Sequence, residues 1–293
     1  MFLQVVLSAW LSDKKKNKMA FTFSGFSTRG GFNLVCPAPP PPPPQYLWSW
    51  GRNNSGQLGL GNTTDRSSPV QVGALTNWLN IAAGQYHNLA IKTDGTLWSW
   101  GSGSLGQLGL GNTTNYSNPV QIGALTTWAK IGAGGQHNLA LKTDGTMWVW
   151  GNGSAGRLGL GNTTSVSSPV QVGALNTWSN IVAGQYHNLA IKTDGTMWVW
   201  GRNYAGRLGL GDTANRSSPT QIGALTTWSS VDAGEYHNLS IKTDGTMWSW
   251  GFNNTGQLGL GNTTDRSSPV QIGALTNWSS VAAGYFHSMA ISN

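Results

Sequence analysis

The chain has 293 residues, only 9% of them charged, with 41 glycines, 16 tryptophans and one cysteine; Asn, Thr, Ser and Gln take the surface role of Lys and Glu, which fits turn-rich β-structure. The lone Cys36 excludes an intrachain disulfide, and no run reaches the ~18 apolar residues of a membrane span. Of the net charge of +7, Lys14, Lys15, Lys16, Lys18 and Arg29 against Asp13 supply +4 in the first 46 residues, and the remaining +3 is too dispersed for a nucleic-acid surface.

From the N-terminus, residues 2–11 are apolar, but the lysines follow that run instead of preceding it, the reverse of a secretory signal. Residues 1–18 read as an extension upstream of Met19. Residues 1–36 form a Gly- and Ser-containing tail, expected to be poorly ordered until bound and to carry any assembly role. Residues 37–45 form a linker whose six consecutive prolines, 39 to 44, cannot join a sheet ladder and favour a stiff polyproline spacer.

The remainder, 46–293, is an internal repeat. The segment Leu47-Trp48-Ser49-Trp50-Gly51 returns at Leu97, Met147, Met197 and Met247, a spacing of 50 residues without insertion or deletion. The copies span 47–96, 97–146, 147–196, 197–246 and 247–293. Each reads approximately W-x-W-G, then G-[QR]-L-G-L-G, then S-P, then A-G-x-x-H and an Asp-Gly turn, the last copy stopping just before that turn. The glycines of Gly56-Gln57-Leu58-Gly59-Leu60-Gly61 are turn formers, since no helix follows to receive a phosphate.

Within a repeat, short extended segments lie near Val70-Gln71-Val72 and Asn80-Ile81-Ala82. His87 to Lys92 and Leu97 to Trp100 then alternate in period two around Thr93-Asp94-Gly95-Thr96. A two-residue Asp-Gly loop of type I′ places Ile91 opposite Trp98 and Leu89 opposite Trp100, with all four side chains on one face. About four strands per repeat at a fixed period is the signature of propeller blades. The predicted fold is therefore all-β, a five-bladed β-propeller of four-stranded blades. Its ring is expected to close by pairing an N-terminal strand (47–51) with a C-terminal strand (287–292), which removes open sheet edges.

The pattern Trp50-Gly51-Arg52-Asn53-Asn54-Ser55-Gly56-Gln57-Leu58-Gly59-Leu60-Gly61, followed by Ala83-Gly84-Gln85-Tyr86-His87-Asn88-Leu89-Ala90-Ile91, resembles the regulator of chromosome condensation repeat family. The resemblance covers 47–293 and implies a β-propeller. Guanine-nucleotide exchange on a small GTPase is the family's best-known activity, and many members are interaction modules. None of the five repeats carries an inserted wedge-like hairpin of the kind an exchange factor uses.

Chemistry-bearing residues recur singly. His87, His137, His187, His237 and His287 fall one per repeat with no Glu or Cys beside them. Each is expected to start a strand and bond to a glycine-rich turn, not to a metal. Lys92, Lys142, Lys192 and Lys242 read as solvated residues of the Asp-Gly turn, and the tryptophans as packing layers between blades. No paired carboxylates or nucleophile–base arrangement is legible, so no catalytic, cofactor or metal site is predicted.

Recognition is expected where the repeats differ: after W-G, before the histidine, and at the pair beginning Asp65-Arg66. Candidate partner-binding residues are Arg52, Tyr86, Tyr116, Tyr186, Arg202, Tyr204, Glu235, Tyr236, Phe252 and Tyr285, of the types that anchor interfaces. The function expected is a non-catalytic, monomeric scaffold for a protein partner. A surface or virion adhesin for glycans or cell-envelope components is the second reading, and nucleotide exchange the third.

Overall fold

The computed structural model describes residues 44–293, so the expected tail (1–36) and all but the last two residues of the linker (37–45) lie outside the described residues. The first repeat forms β1 (Trp48–Gly51), β2 (Arg66–Gln71), β3 (Trp78–Ala83) and β4 (His87–Lys92), and the second β5 (Leu97–Gly101), β6 (Tyr116–Gln121), β7 (Trp128–Ala133) and β8 (His137–Lys142). The third gives β9 (Met147–Gly151), β10 (Val166–Gln171), β11 (Trp178–Ala183) and β12 (His187–Lys192). The fourth gives β13 (Met197–Gly201), β14 (Arg216–Gln221), β15 (Trp228–Ala233) and β16 (His237–Lys242), and the fifth β17 (Met247–Gly251), β18 (Arg266–Gln271), β19 (Trp278–Ala283) and β20 (Ser288–Ser292).

Because the Asp-Gly turn joins the last strand of one repeat to the first of the next, blades straddle repeat boundaries. Four antiparallel blades are complete: β3–β6, β7–β10, β11–β14 and β15–β18. Two-stranded halves, β1–β2 and β19–β20, flank them. The ends of the five innermost strands surround an axial cavity of ≈ 280 Å³, across which Gln185 Nε2 donates to Gln85 Oε1 at 3.2 Å.

The hairpin register differs from the expected one by a single residue. Ile91 pairs with Leu97, Ala90 with Trp98, Leu89 with Ser99 and Asn88 with Trp100. The loop is three residues long: Gly95 N–H donates to Lys92 O, Lys92 N–H to Thr96 O, and Gly95 takes φ +77°. Asp94 Oδ1 holds this loop by accepting from Thr96 N–H (2.9 Å) and Thr96 Oγ1 (2.6 Å). A one-residue slip moves side chains to the opposite face, so the aliphatic and aromatic residues separate.

That separation builds the core. The face bearing Leu89, Ile91 and Leu97 packs against Trp128, Ala140 and Trp150 of the following blade. Fully buried Trp150, Trp200 and Trp250 each remove apolar area from water worth at most ~4–6 kcal/mol. Each lies on a glycine of the preceding blade. A Cβ on Gly109 would stand 2.9 Å from Trp150 Nε1, and one on Gly159 would stand 2.8 Å from Trp200 Nε1. The lysines expected in solvent lie instead over indoles: Lys92 Nζ is 3.5 Å from the Trp98 ring centre and 5.1 Å from that of Trp78. The four-carbon stem covers apolar surface while its charge meets the ring faces.

Adjacent blades are also tied by a repeated polar relay. The carbonyl of Gln107 accepts from Asn138 Nδ2 (2.7 Å) and Trp150 Nε1 (3.0 Å). Asn138 Oδ1 in turn meets His87 Nε2 at 2.7 Å. His87, His137 and His187 therefore bond to an asparagine of the next blade, and His237 to Ser288 Oγ, not to a glycine-rich turn as expected, while the glycine lies against the ring: a Cβ on Gly84 would fall 2.3 Å from His87 Cε1. Burial pushes the histidines down, to about 4 for His87 and His237 and about 3 for His137 and His187, so they are neutral.

The ring closure expected from the sequence is not formed. Strand β1 pairs only with β2, and β20 only with β19. Trp50 is 60% exposed and Ile291 63%, whereas the repeat equivalents of Trp50 are buried. The unpaired half-blade β1–β2 leaves a seam, where a cavity of ≈ 520 Å³ lined by Trp48, Trp50 and Ile81 lies between it and the first complete blade.

Candidate functional site

Two of the three variable positions converge because the backbone ties them. The residue after each W-G donates its N–H to the carbonyl of the residue before each histidine: Ser102 to Tyr86 (2.8 Å), Asn152 to Gln136 (2.9 Å), Arg202 to Tyr186 and Phe252 to Tyr236 (both 3.0 Å). The intervening glycine makes this possible. Gly201 has φ +106°, and a Cβ there would come within 2.8 Å of Tyr186 O.

The third variable position is structural. Asp65 Oδ1 accepts from Asn53 N–H at 2.7 Å, and Asn115 Oδ1 from Gly103 N–H at 2.8 Å. Tyr116 begins the outermost strand of its blade and meets Asn112 Nδ2 at 3.4 Å. It takes no part in the clusters formed by the other candidates.

Those candidates form two groups. Arg52 lies over the Tyr86 ring at 5.5 Å beside the seam. The second group is larger and unites Tyr186, Arg202, Tyr204, Tyr236, Phe252 and Tyr285 across consecutive blades. The Tyr236 ring is 6.4 Å from Tyr204, 5.7 Å from Phe252, 5.7 Å from Tyr285 and 5.9 Å from Phe286, the last pair stacked at 12°. Tyr186, Arg202, Tyr204, Tyr236, Phe252 and Phe286, with Arg207 and Asn254, line a cleft of ≈ 320 Å³, whereas Tyr285 lines the axial cavity. Tyr204 and Phe286 in its lining are half-exposed, as is Tyr285.

Three guanidinium groups gather on Tyr186: Arg157 at 5.2 Å, Arg202 at 5.5 Å and Arg207 at 5.8 Å from its ring centre. Arg207 also lies 4.9 Å from the Tyr236 ring. Burial, with Arg202 adding repulsion, lowers Arg207 to about 10, and burial lowers Arg157 too; both remain charged near neutral pH. Glu235 supplies its backbone carbonyl to Arg207 Nη1 at 3.0 Å. Its carboxylate, accepting from the Tyr236 hydroxyl, pushes that phenol upward and keeps it protonated.

Arg157, Arg207 and Phe286 were not among the candidates read from the sequence. The signal for the arginines was present in G-[QR]-L-G, where two repeats depart from Gln. Among the described residues, no group of three or more His, Cys, Asp or Glu is placed to hold a metal, and no helix is long and apolar enough to cross a membrane.

The chain matches the family model described as RCC1-like domain over residues 45–290. In structure it is similar to human WBSCR16, with a TM-score of 0.73 and 24% identity over 84% of this chain and 67% of that one. It is also similar to Prp20p from Saccharomyces cerevisiae, which is described with binding properties to Gsp1p and histones; the TM-score is 0.72 and the identity 25%, over 84% of this chain and 63% of that one. In sequence it is 43% identical to the Protein RCC2 homolog of Danio rerio over 53 residues, 17% of this chain and only 11% of the relative's length.

Proposed function

Since this chain belongs to the RCC1-like domain family, we propose that it is a non-catalytic scaffold that binds a protein partner through the cleft walled by Tyr186, Arg202, Tyr204, Tyr236 and Phe252. The observation that carries this reading is the clustering itself. Aromatic and arginine side chains, the types that dominate interface energetics, occupy variable positions and collect over neighbouring blades, while the repeated positions are consumed by packing. A rigid sheet framework under exposed rings also limits the ordering entropy lost on binding. Partner binding by Prp20p supports the general class of activity. The identity of the partner here is set by this chain's own loops.

The test is capture by the immobilised full chain from lysate, with bound proteins identified by mass spectrometry. Tyr204→Ala/Phe252→Ala should lose the partners retained by the parent chain, and Tyr116→Ala, remote from the cleft, should keep them. Equal capture by all three proteins would sink the assignment. A glycan array run in parallel addresses the adhesin reading, and a nucleotide-release assay on small GTPases addresses exchange.

A further inference from the structure

Three repeats carry Gln where two carry Arg: Gln57, Gln107 and Gln257 against Arg157 and Arg207. Each Gln Oε1 accepts the backbone N–H of the residue two positions earlier, at 2.8 Å from Ser55, 2.8 Å from Leu105 and 3.0 Å from Thr255. A guanidinium has no acceptor. In the two arginine repeats the same peptide unit is turned over, so that the carbonyls of Ser154 and Tyr204 accept from Arg157 Nε and Arg207 Nε, both at 3.0 Å. The reversal places Ala155 at φ +57° and Ala205 at φ +56°, the only non-glycine residues with positive φ among the described residues. The left-handed region is strained for an L-residue, and such strain concentrates at functional sites.

The strain accompanies buried, incompletely paired charge. Arg157 is 5% exposed and Arg207 is fully buried, yet Arg157 Nη1 and Arg207 Nη2 have no hydrogen-bond partner among the described residues. No carboxylate forms an ion pair with either group; the one ion pair among the described residues is Arg216–Asp212, elsewhere. The Glu235 carboxylate favours the charged Arg207 without forming an ion pair, and a buried guanidinium whose donors lack a hydrogen-bonded counter-charge is costly. Arg202 and Arg207 line the cleft, and Arg157 joins them over the Tyr186 ring, one of its walls. Planar guanidinium groups with free N–H donors match the geometry of a carboxylate.

We propose that Arg157, Arg202 and Arg207 form an anion-recognition site that takes the carboxylates of an acidic polypeptide segment, whose apolar neighbours pack on Tyr204, Tyr236 and Phe252. This rests on the reading of that face as protein-binding. An acidic peptide fits better than a nucleic acid because the cations form one local cluster in an aromatic-walled cleft, not the extended row that follows a phosphate backbone. Base stacking on the rings is an outcome the experiment must distinguish.

The full chain is titrated, by fluorescence anisotropy, into a fluorescein-labelled peptide of alternating Glu and Leu, its Gln-and-Leu counterpart, and oligothymidylate. The Glu peptide should bind about tenfold or more tightly than either of the others. Arg157→Gln/Arg207→Gln should lose about tenfold or more in affinity for it while its thermal midpoint holds or rises, since three repeats already accommodate Gln. Unchanged affinity in that variant, no binding of the Glu peptide, or equally tight binding of oligothymidylate would overturn the proposal. Lysate capture separates the two readings. If Arg157→Gln/Arg207→Gln retains every partner that Tyr204→Ala/Phe252→Ala loses, the face is a binding surface and the anion site is wrong. If both variants retain all partners, the face itself is wrongly assigned.

Discussion

Arg207 Nε donates to the carbonyl oxygen of Tyr204 at 3.0 Å, where the corresponding Gln257 accepts the N–H of Thr255 with its Oε1. One side chain thus decides which way a peptide plane faces, and Ala205 is left in the left-handed region. Replacing Ala155 or Ala205 by Gly should raise unfolding stability by about 0.5–1 kcal/mol each, the released strain being partly offset by unfolded-chain entropy. Denaturant midpoints measure this. In an Arg157→Gln/Arg207→Gln background the gain should disappear, because the peptide returns to its other orientation. The same gain in both backgrounds would refute the coupling between side chain and peptide plane.

The seam makes two equivalent glycines unequal. A Cβ on Gly109 would meet Trp150 Nε1 at 2.9 Å, whereas the nearest atom to one on Gly259 is Ile272 Cγ2 at 3.7 Å. Both glycines have positive φ, +71° and +68°. Gly109→Ala should therefore cost about 2–4 kcal/mol, from a displaced buried indole as well as backbone strain, and Gly259→Ala about 1 kcal/mol. Equal losses in thermal or chemical unfolding would mean that Trp50 sits on Gly259 in solution and the ring is closed.

The buried histidines predict a pH dependence with a definite sign. In the folded chain His87 and His237 titrate at about 4, and His137 and His187 at about 3, below the ordinary 6.5 because burial disfavours the charged ring. Between these values the unfolded chain binds more protons. The stabilisation is therefore present above about pH 6.5 and is lost as pH falls toward the folded values, by up to ~1.4 kcal/mol per pH unit for each histidine. Urea midpoints across that window should fall steadily with acidification, and His187→Gln should show a shallower slope. A flat profile down to about pH 4 would show that the rings are not buried as described.

Much of the fold was legible because the information is local and repeated. The W-x-W-G, Asp-Gly and A-G-x-x-H elements recur at constant spacing, and period-two alternation places strands β4 and β5 correctly. Register was not legible. Asp-Gly permits a two-residue or a three-residue loop, and the choice depends on whether Asp94 captures Thr96, a side-chain bond that alternation does not encode. The lysines were misread for a related reason: Lys92 neighbours a polar turn in sequence but two indoles in space.

The proposed binding face was partly legible. Variable Tyr, Arg and Phe positions marked Tyr186, Arg202, Tyr204, Tyr236 and Phe252, but equally marked Tyr116, which stands on an outer strand away from the cleft. By itself the sequence determined the repeat and the all-β architecture, because these depend on residues near one another in the chain. Tertiary structure alone decided that Arg157, from one repeat, shares the Tyr186 ring with Arg202 and Arg207 from the next. It also decided that β1 and β20 do not meet. Both outcomes depend on how packing sets one blade beside the next, a relation between repeats that is not written in any one of them.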